Sequence, residues 1–261
     1  MKHLNTYITE YIIKKKLEKP INSEYKYYPE TKEELLNNIK ECLDSKNYDL
    51  NCIDTSKITD MSSLFYDKKL KDAIEKINIS KWDVSNVTNM RYMFCDCINF
   101  TGKGLENWDV SNVKTMDYMF LRCNSFRGEC LENWDVSNVK TMEGMFAYCK
   151  KFEGNSIKNW DVSNVENMMS MFNSCTIFNA DISNWDVSSV VTMNYMFQDC
   201  ENFDCDLSNW NVSNVTNMKY MFQNCENFKA KDLDKWNVSN VKNMEYMFDN
   251  CMKLKKIPSW Y

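Results

Sequence analysis

Seven tryptophans (Trp82, Trp108, Trp134, Trp160, Trp185, Trp210 and Trp236) divide most of this chain into units of 25 or 26 residues. Each opens a near-copy of one stretch, which reads WDVSNVTNMRYMFCDCINF from Trp82 to Phe100. Self-similarity at a period in the twenties restricts the fold more than any other feature of the chain. A unit this short cannot enclose a core alone, so it buries its apolar face against its neighbours in a linear stack.

Counting from each Trp, apolar residues recur at −3 (Ile79, Leu105, Leu131, Ile157, Ile182, Leu207, Leu233) and at +2 and +5 (Val84 and Val87 in the first unit). They recur again at +8, +11 and +12 (Met90, Met93, Phe94), then at +15 (Cys97) and +18 (Phe100). The I/L-x-x-W-x-V segment carries bulky, β-favouring residues and predicts a short strand. The M-F-x-x-C-x-x-F segment has three- and four-residue spacings and predicts a short helical turn. Phe100 and Leu105 are five residues apart, whereas Phe178 and Ile182 are four apart, so the loop between turn and strand absorbs the change of period.

Both ends depart from the repeat. Leu4, Tyr7, Ile8, Tyr11, Ile12 and Ile13 predict an amphipathic helix over residues 4–19, stopped by Pro20. Thr31 and Glu34 form a T-x-x-E capping box, which opens a second helix to about Lys46 with Leu35, Leu36, Ile39, Cys42 and Leu43 on its apolar side. These helices make residues 1–50 an α-helical N-terminal cap, which covers the first coil, and residues 51–261 the repeat array of about eight coils. Ile53 to Phe65 is a degenerate first coil, and Lys68 to Glu75 reads as an insertion before Trp82. At the other end, lysines and Pro258 suit a protected edge, with Ile257 and Trp260 in the strand positions.

These units resemble the BspA-type leucine-rich-repeat proteins of bacterial surfaces, in the variant rich in WDVSNVTNM. The resemblance covers about residues 53–260, and the preceding PETKEELLNNIKECL is similar to the leader joined to such arrays. It implies an α/β repeat, a right-handed leucine-rich-repeat-like solenoid, with roles in adhesion or protein binding. Repeats of this type without export signals also resemble those of phage and mobile-element proteins. No uninterrupted apolar segment with a cleavage site opens the chain, so a signal peptide is not expected and the 12 cysteines read as reduced thiols. The expected location is cytoplasmic, while the resemblance points to a cell or virion surface.

The net charge of −5, with both signs interspersed, offers no basic face for nucleic acid, and no stretch is apolar enough to span a bilayer. Only one histidine is present, so no Ser-His or Cys-His pair exists in the array, and no glycine-rich phosphate loop occurs. We therefore expect no catalytic residue, no cofactor and no metal.

The cysteine row (Cys97, Cys123, Cys149, Cys175, Cys200, Cys225 and Cys251) is linear, which cannot build a tetrahedral thiolate cage and reads instead as small buried filler. Asp at +1 (Asp83, Asp109, Asp135, Asp161, Asp186) gives way to Asn211 and Asn237. The slot therefore needs a side-chain-to-backbone bond rather than a charge.

The candidate partner-binding residues are Tyr92, Tyr118, Tyr195, Tyr220 and Tyr246 at +10, an aromatic row interrupted by Gly144 and Ser170. The expectation is a non-catalytic protein-interaction scaffold. The alternatives are an adhesin or glycan binder, and a structural protein that self-associates through its C-terminal edge at Trp260 and Tyr261.

Overall fold

The computed structural model describes residues 25–261. The helix expected over residues 4–19 lies outside the described residues. The second helix is present as α1 (Lys32–Asp44), two residues shorter than the spacing predicts. Thr31 is extended and its hydroxyl accepts the Glu34 N–H at 3.2 Å, while the Glu34 carboxylate reaches back to the Glu30 N–H at 2.8 Å. The reciprocal bond of a capping box thus lands one residue earlier than usual. Leu35, Ile39, Cys42 and Leu43 are buried in the same core as Ile53, Ile58, Met61 and Phe65, so α1 lies over the first coil. The insertion forms α2 (Lys68–Ala73), capped by Asp67 and anchored by buried Leu70.

Seven parallel bridges join the coils in register: Asp60 to Asn89, then Thr115, Thr141, Asn167, Thr192, Asn217 and Asn243 in succession. They fall at +7 from each Trp rather than on the I/L-x-x-W-x-V segment, where the strand was expected. The reason is visible in the backbone. The Trp108 N–H turns inward to the Leu105 carbonyl at 3.2 Å, as Trp134 does to Leu131 at 3.1 Å, so this segment closes a turn rather than pairing its tryptophan N–H with a neighbour.

The expected helical turn is likewise a different structure with the same spacing. Met90, Tyr92, Phe94 and Asp96 donate their N–H groups to Thr115, Asp117, Met119 and Leu121 of the next coil, at 2.8–3.1 Å. The intervening Met93, Cys95 and Cys97 donate back to Met90, Tyr92 and Phe94 at 3.0–3.2 Å. A helix would turn its N–H groups beyond the first turn along its own axis rather than toward a neighbouring coil. This ribbon of overlapping turns gives alternate donors to the neighbouring coil, and it does so by placing Tyr92 (φ 57°) and Asp96 (φ 60°) in the left-handed region.

The core is two columns of phenylalanine. Those at +12 and +18 stack within each coil at 4.2 Å (Phe94 with Phe100) and between coils at 5.7 Å (Phe94 with Phe120) and 6.3 Å (Phe100 with Phe126). Each Trp leans on the Phe column of the preceding coil, Trp108 lying 6.2 Å from Phe94. Where a coil has 26 residues, the chain makes a left-handed turn at +20: Gly102, Gly128 and Gly154 have φ of 90°, 87° and 87°, and Ala230 holds the place in the fourth such coil with φ 50°. Gly154 also meets the Phe178 ring so closely that a Cβ would fall 2.3 Å from it. In the shorter coil after Trp160, Ala180 follows Phe178 without such a turn.

Candidate interaction surface: the tyrosine row and the C-terminal edge

The nearly invariant residues satisfy the backbone, and the hydrogen bonds show why these residue types are used. Each indole Nε1 donates to the carbonyl of the −3 residue one coil earlier: Trp134 to Leu105 at 3.1 Å, Trp160 to Leu131 at 3.2 Å, Trp210 to Ile182 at 3.1 Å. Each row thiol donates to the phenylalanine carbonyl of the preceding coil, as Cys149 does to Phe120 and Cys175 to Phe146, both at 3.0 Å. Those carbonyls already accept a turn N–H, and the thiol fills the second lone pair.

Burial pushes the Cys123, Cys149, Cys200 and Cys225 thiols well above the ordinary range, and Cys97 and Cys251 near the ends up to about 12. They are filler, as the spacing suggests, and also donors, which the spacing does not reveal. Asp83 and Asn211 accept the same Ser N–H two residues on, at 3.0 and 3.2 Å, so that slot closes a turn with or without charge. Among the described residues no buried side-chain nitrogen or oxygen lacks a partner.

The tyrosines stand apart from this scaffold. Tyr92, Tyr118, Tyr195, Tyr220 and Tyr246 all lie in the left-handed region, with φ between 55° and 62°. Large side chains rarely adopt that backbone, and each does so at a free-energy cost of about 1 kcal/mol or more. Four of them are half-buried and Tyr246 is 55% exposed. The structure brings them together as two stacks and not as one row. Tyr92 lies on Tyr118 at 4.8 Å, and Tyr195, Tyr220 and Tyr246 follow one another at 5.0 and 5.1 Å.

The interruption has a cause. The Tyr118 ring tips over Gly144, where a Cβ would fall 2.4 Å from it, and its hydroxyl donates to Glu143. Burial, first, and that carboxylate raise the Tyr118 hydroxyl well above its usual range. Cations flank the rings, with Arg91 over Tyr92 at 5.1 Å and Lys219 over Tyr220 at 5.0 Å.

Beside the second stack runs a polar ladder that spacing alone does not announce. Asn173, Gln198, Gln223 and Asp249 at +13 link successive coils through side-chain amides at 2.6, 2.6 and 3.1 Å. In earlier coils Cys95, Leu121 and Ala147 hold that slot, so the ladder belongs only to the C-terminal half. Away from the array, Cys42 on α1 and Cys52 meet at 3.8 Å, a pairing without any shared spacing in the sequence.

In the coil that opens at Trp236, the described residues pair the tryptophan side and not the turn ribbon. The turn-ribbon N–H groups of Met244, Tyr246, Phe248 and Asn250 have no acceptor among the described residues, although Met218, Tyr220, Phe222 and Asn224 one coil earlier are all bonded. Val238, Val241 and Met244 are part-exposed, whereas their counterparts Val212, Val215 and Met218 are at most 1% exposed. The final segment covers only the tryptophan side, where Trp260 stacks on Trp236 at 6.1 Å and donates to the Leu233 carbonyl at 2.7 Å.

Among the described residues no group of three or more His, Cys, Asp or Glu is placed to hold a metal, and no helix is long and apolar enough to cross a membrane. A family profile described as Mycoplasma protein of unknown function, DUF285, matches the chain twice, over residues 33–158 and 149–260. The chain belongs to the DUF285 family. The two matches meet inside the coil that opens at Trp134, so the DUF285 unit spans several coils and this chain carries two in tandem. No curated protein and no solved structure matches the chain.

Proposed function

We propose that this DUF285 chain is a non-catalytic protein-interaction module of the BspA-like kind. Its scaffold is a right-handed, leucine-rich-repeat-like solenoid with an α-helical N-terminal cap. The observation that carries the reading is the contrast between scaffold and tyrosines. Trp, Val, Met, Phe and Cys are spent on the core and Asp, Ser and Asn on the backbone, while five tyrosines occupy strained backbone with their rings half in water. Rigid, stacked aromatic faces with few rotatable bonds suit anchoring against another protein, since little entropy is lost when a partner covers them.

Serine already fills the same left-handed slot as Ser63 and Ser170, so Tyr→Ser changes there keep the fold. The test is quantitative recovery of partners from the source organism's lysate. It compares the native chain with the fourfold variant Tyr92→Ser, Tyr118→Ser, Tyr195→Ser and Tyr220→Ser. Recovery should fall at least tenfold, and equal recovery would remove the tyrosine stacks as the binding face.

A further inference from the structure

Two of the 12 cysteines meet each other rather than the scaffold. Cys42 lies in the last turn of α1, and Cys52 ends a 3-10 turn (Leu50–Cys52) that hands the chain to the first coil at Ile53. Their sulfurs are 3.8 Å apart. The seven row thiols are placed differently, each aimed at a phenylalanine carbonyl of the preceding coil at 2.9–3.8 Å. Cys95 and Cys205 face carboxylates, Asp96 at 3.7 Å and Asp181 at 3.8 Å, whose charge opposes a thiolate. Burial pushes Cys130 up to about 12.

The two sulfurs have different surroundings. Cys42 is buried, and burial, then the facing Cys52 thiol, raise it above the ordinary thiol range. Cys52 is half-buried, so it is the sulfur that a small reagent reaches. Its Sγ donates to the Asp49 carbonyl at 3.5 Å, and Asn47 Nδ2 donates to it at 3.7 Å. The backbone on both sides is held, with the Asn47 N–H bonded to the Cys42 carbonyl at 2.8 Å and the Lys26 N–H to the Cys52 carbonyl at 2.7 Å. Going from 3.8 Å to a covalent separation of about 2.05 Å takes sulfur travel of about 1.8 Å, within the reach of side-chain rotation.

We propose that Cys42 and Cys52 are a thiol–disulfide exchange site, at which small disulfides of the glutathione type convert the two thiols into a covalent clamp between α1 and the first coil. The Cys52 thiolate attacks one sulfur of the small disulfide, forming a mixed disulfide and expelling the first small thiolate. Cys42 gives up its proton to water, and its sulfur attacks that of Cys52 and expels the second. The two cysteines lose two electrons and two protons, and the reagent becomes two thiols. The new bond closes a loop over residues 43–51, which already holds the neighbouring coil through the Leu50 N–H to the Asn78 carbonyl at 3.0 Å. It adds a covalent tie to the apolar packing of Leu35, Ile39 and Leu43. The site is separate from the tyrosine stacks and does not depend on their role.

The test incubates the full chain in defined mixtures of oxidised and reduced glutathione, quenches it in acid, alkylates the remaining thiols after unfolding and maps them by peptide mass spectrometry. A Cys42–Cys52 bridge should form first, with the other ten cysteines still alkylated, and dithiothreitol should restore both thiols. On oxidation, hydrogen exchange of the α1 amides should slow by about a hundredfold, the chain-entropy effect of closing a loop of about ten residues. Cys52→Ser, at a half-buried position that keeps the fold, should abolish both changes. The proposal is overturned if Cys42 and Cys52 both remain alkylated in the most oxidising mixture, or if Cys52 stops at a mixed disulfide with glutathione. It is overturned equally if the bridge forms and the α1 amides still exchange at the reduced protein's rate.

Discussion

Replacing Gly154 by alanine tests the packing argument at its tightest point. Gly154 has φ 87°, and a Cβ there would lie 2.3 and 2.7 Å from the Phe178 ring and 3.0 Å from the Ala180 Cβ. Phe178 has nowhere to go. It is 0% exposed and stacked at 4.1 Å on Phe172, 6.0 Å on Phe152 and 5.8 Å on Phe203. Relieving the clash moves the ring by about 1 Å into filled space, an overpacking strain of about 1–3 kcal/mol. The left-handed backbone adds about 1–2 kcal/mol for any residue with a Cβ. Against this, alanine narrows the unfolded ensemble and returns about 0.4–1 kcal/mol.

The net expectation for Gly154→Ala is a loss of about 1–5 kcal/mol, centred on about 3 kcal/mol. Gly144→Ala is the internal comparison. Its φ is 56° and its Cβ would fall 2.4 Å from Tyr118, but that ring is half-buried and can swing toward solvent. Only the backbone strain remains, about 1 kcal/mol. Urea titrations read by tryptophan fluorescence would compare midpoints and slopes for the two variants. Equal destabilisation, or a Gly154→Ala protein within about 0.5 kcal/mol of the native chain, would refute the account of a filled core.

Three further outcomes are expected. Trp160→Phe removes the indole bond to the Leu131 carbonyl and leaves a small cavity, for a loss of about 2 kcal/mol in the same titration; an unchanged midpoint would show the indole to be dispensable. Thr31→Ala deletes the α1 cap and should destabilise that helix by about 1 kcal/mol, read as faster exchange of the α1 amides with the coil amides unaffected.

The buried thiols make stability fall with rising pH. Their pKa values are raised on folding, so above the unfolded thiol value of about 8.5 the folded state holds more protons than the unfolded one. Stability is therefore full below that pH and declines above it, by about 1.4 kcal/mol per pH unit for each thiol. Cys149→Ala/Cys200→Ala should flatten the alkaline slope by about 2.8 kcal/mol per unit, and an unaltered slope would count against thiol burial as its cause.

Much of this molecule is legible in its letters. The period, the core positions from Ile79 to Phe100, the helix opened by Thr31 and the turn role of Asp83 all follow from spacing and residue chemistry, because burial and capping are local rules repeated in every coil. The conformation of the repeat is not legible in the same way. Met90, Met93, Phe94 and Cys97 keep helical spacing, yet the backbone between them is a turn ribbon. Which N–H groups serve the coil and which serve its neighbour depends on having a neighbour at 25 or 26 residues' distance. The same tertiary pairing forces Tyr92 and its equivalents into the left-handed region, splits their row at Gly144 and turns the cysteines into donors.

At the first coil, α1 lays Leu35, Ile39, Cys42 and Leu43 on the core. In the coil that opens at Trp236, Val238, Val241 and Met244 are part-exposed, whereas Val212, Val215 and Met218 one coil earlier are buried. The repeated sequence alone determined that coils would stack and which side chains would fill them. Only the stacking decided the backbone path, the strain carried by the tyrosines and the split in their row.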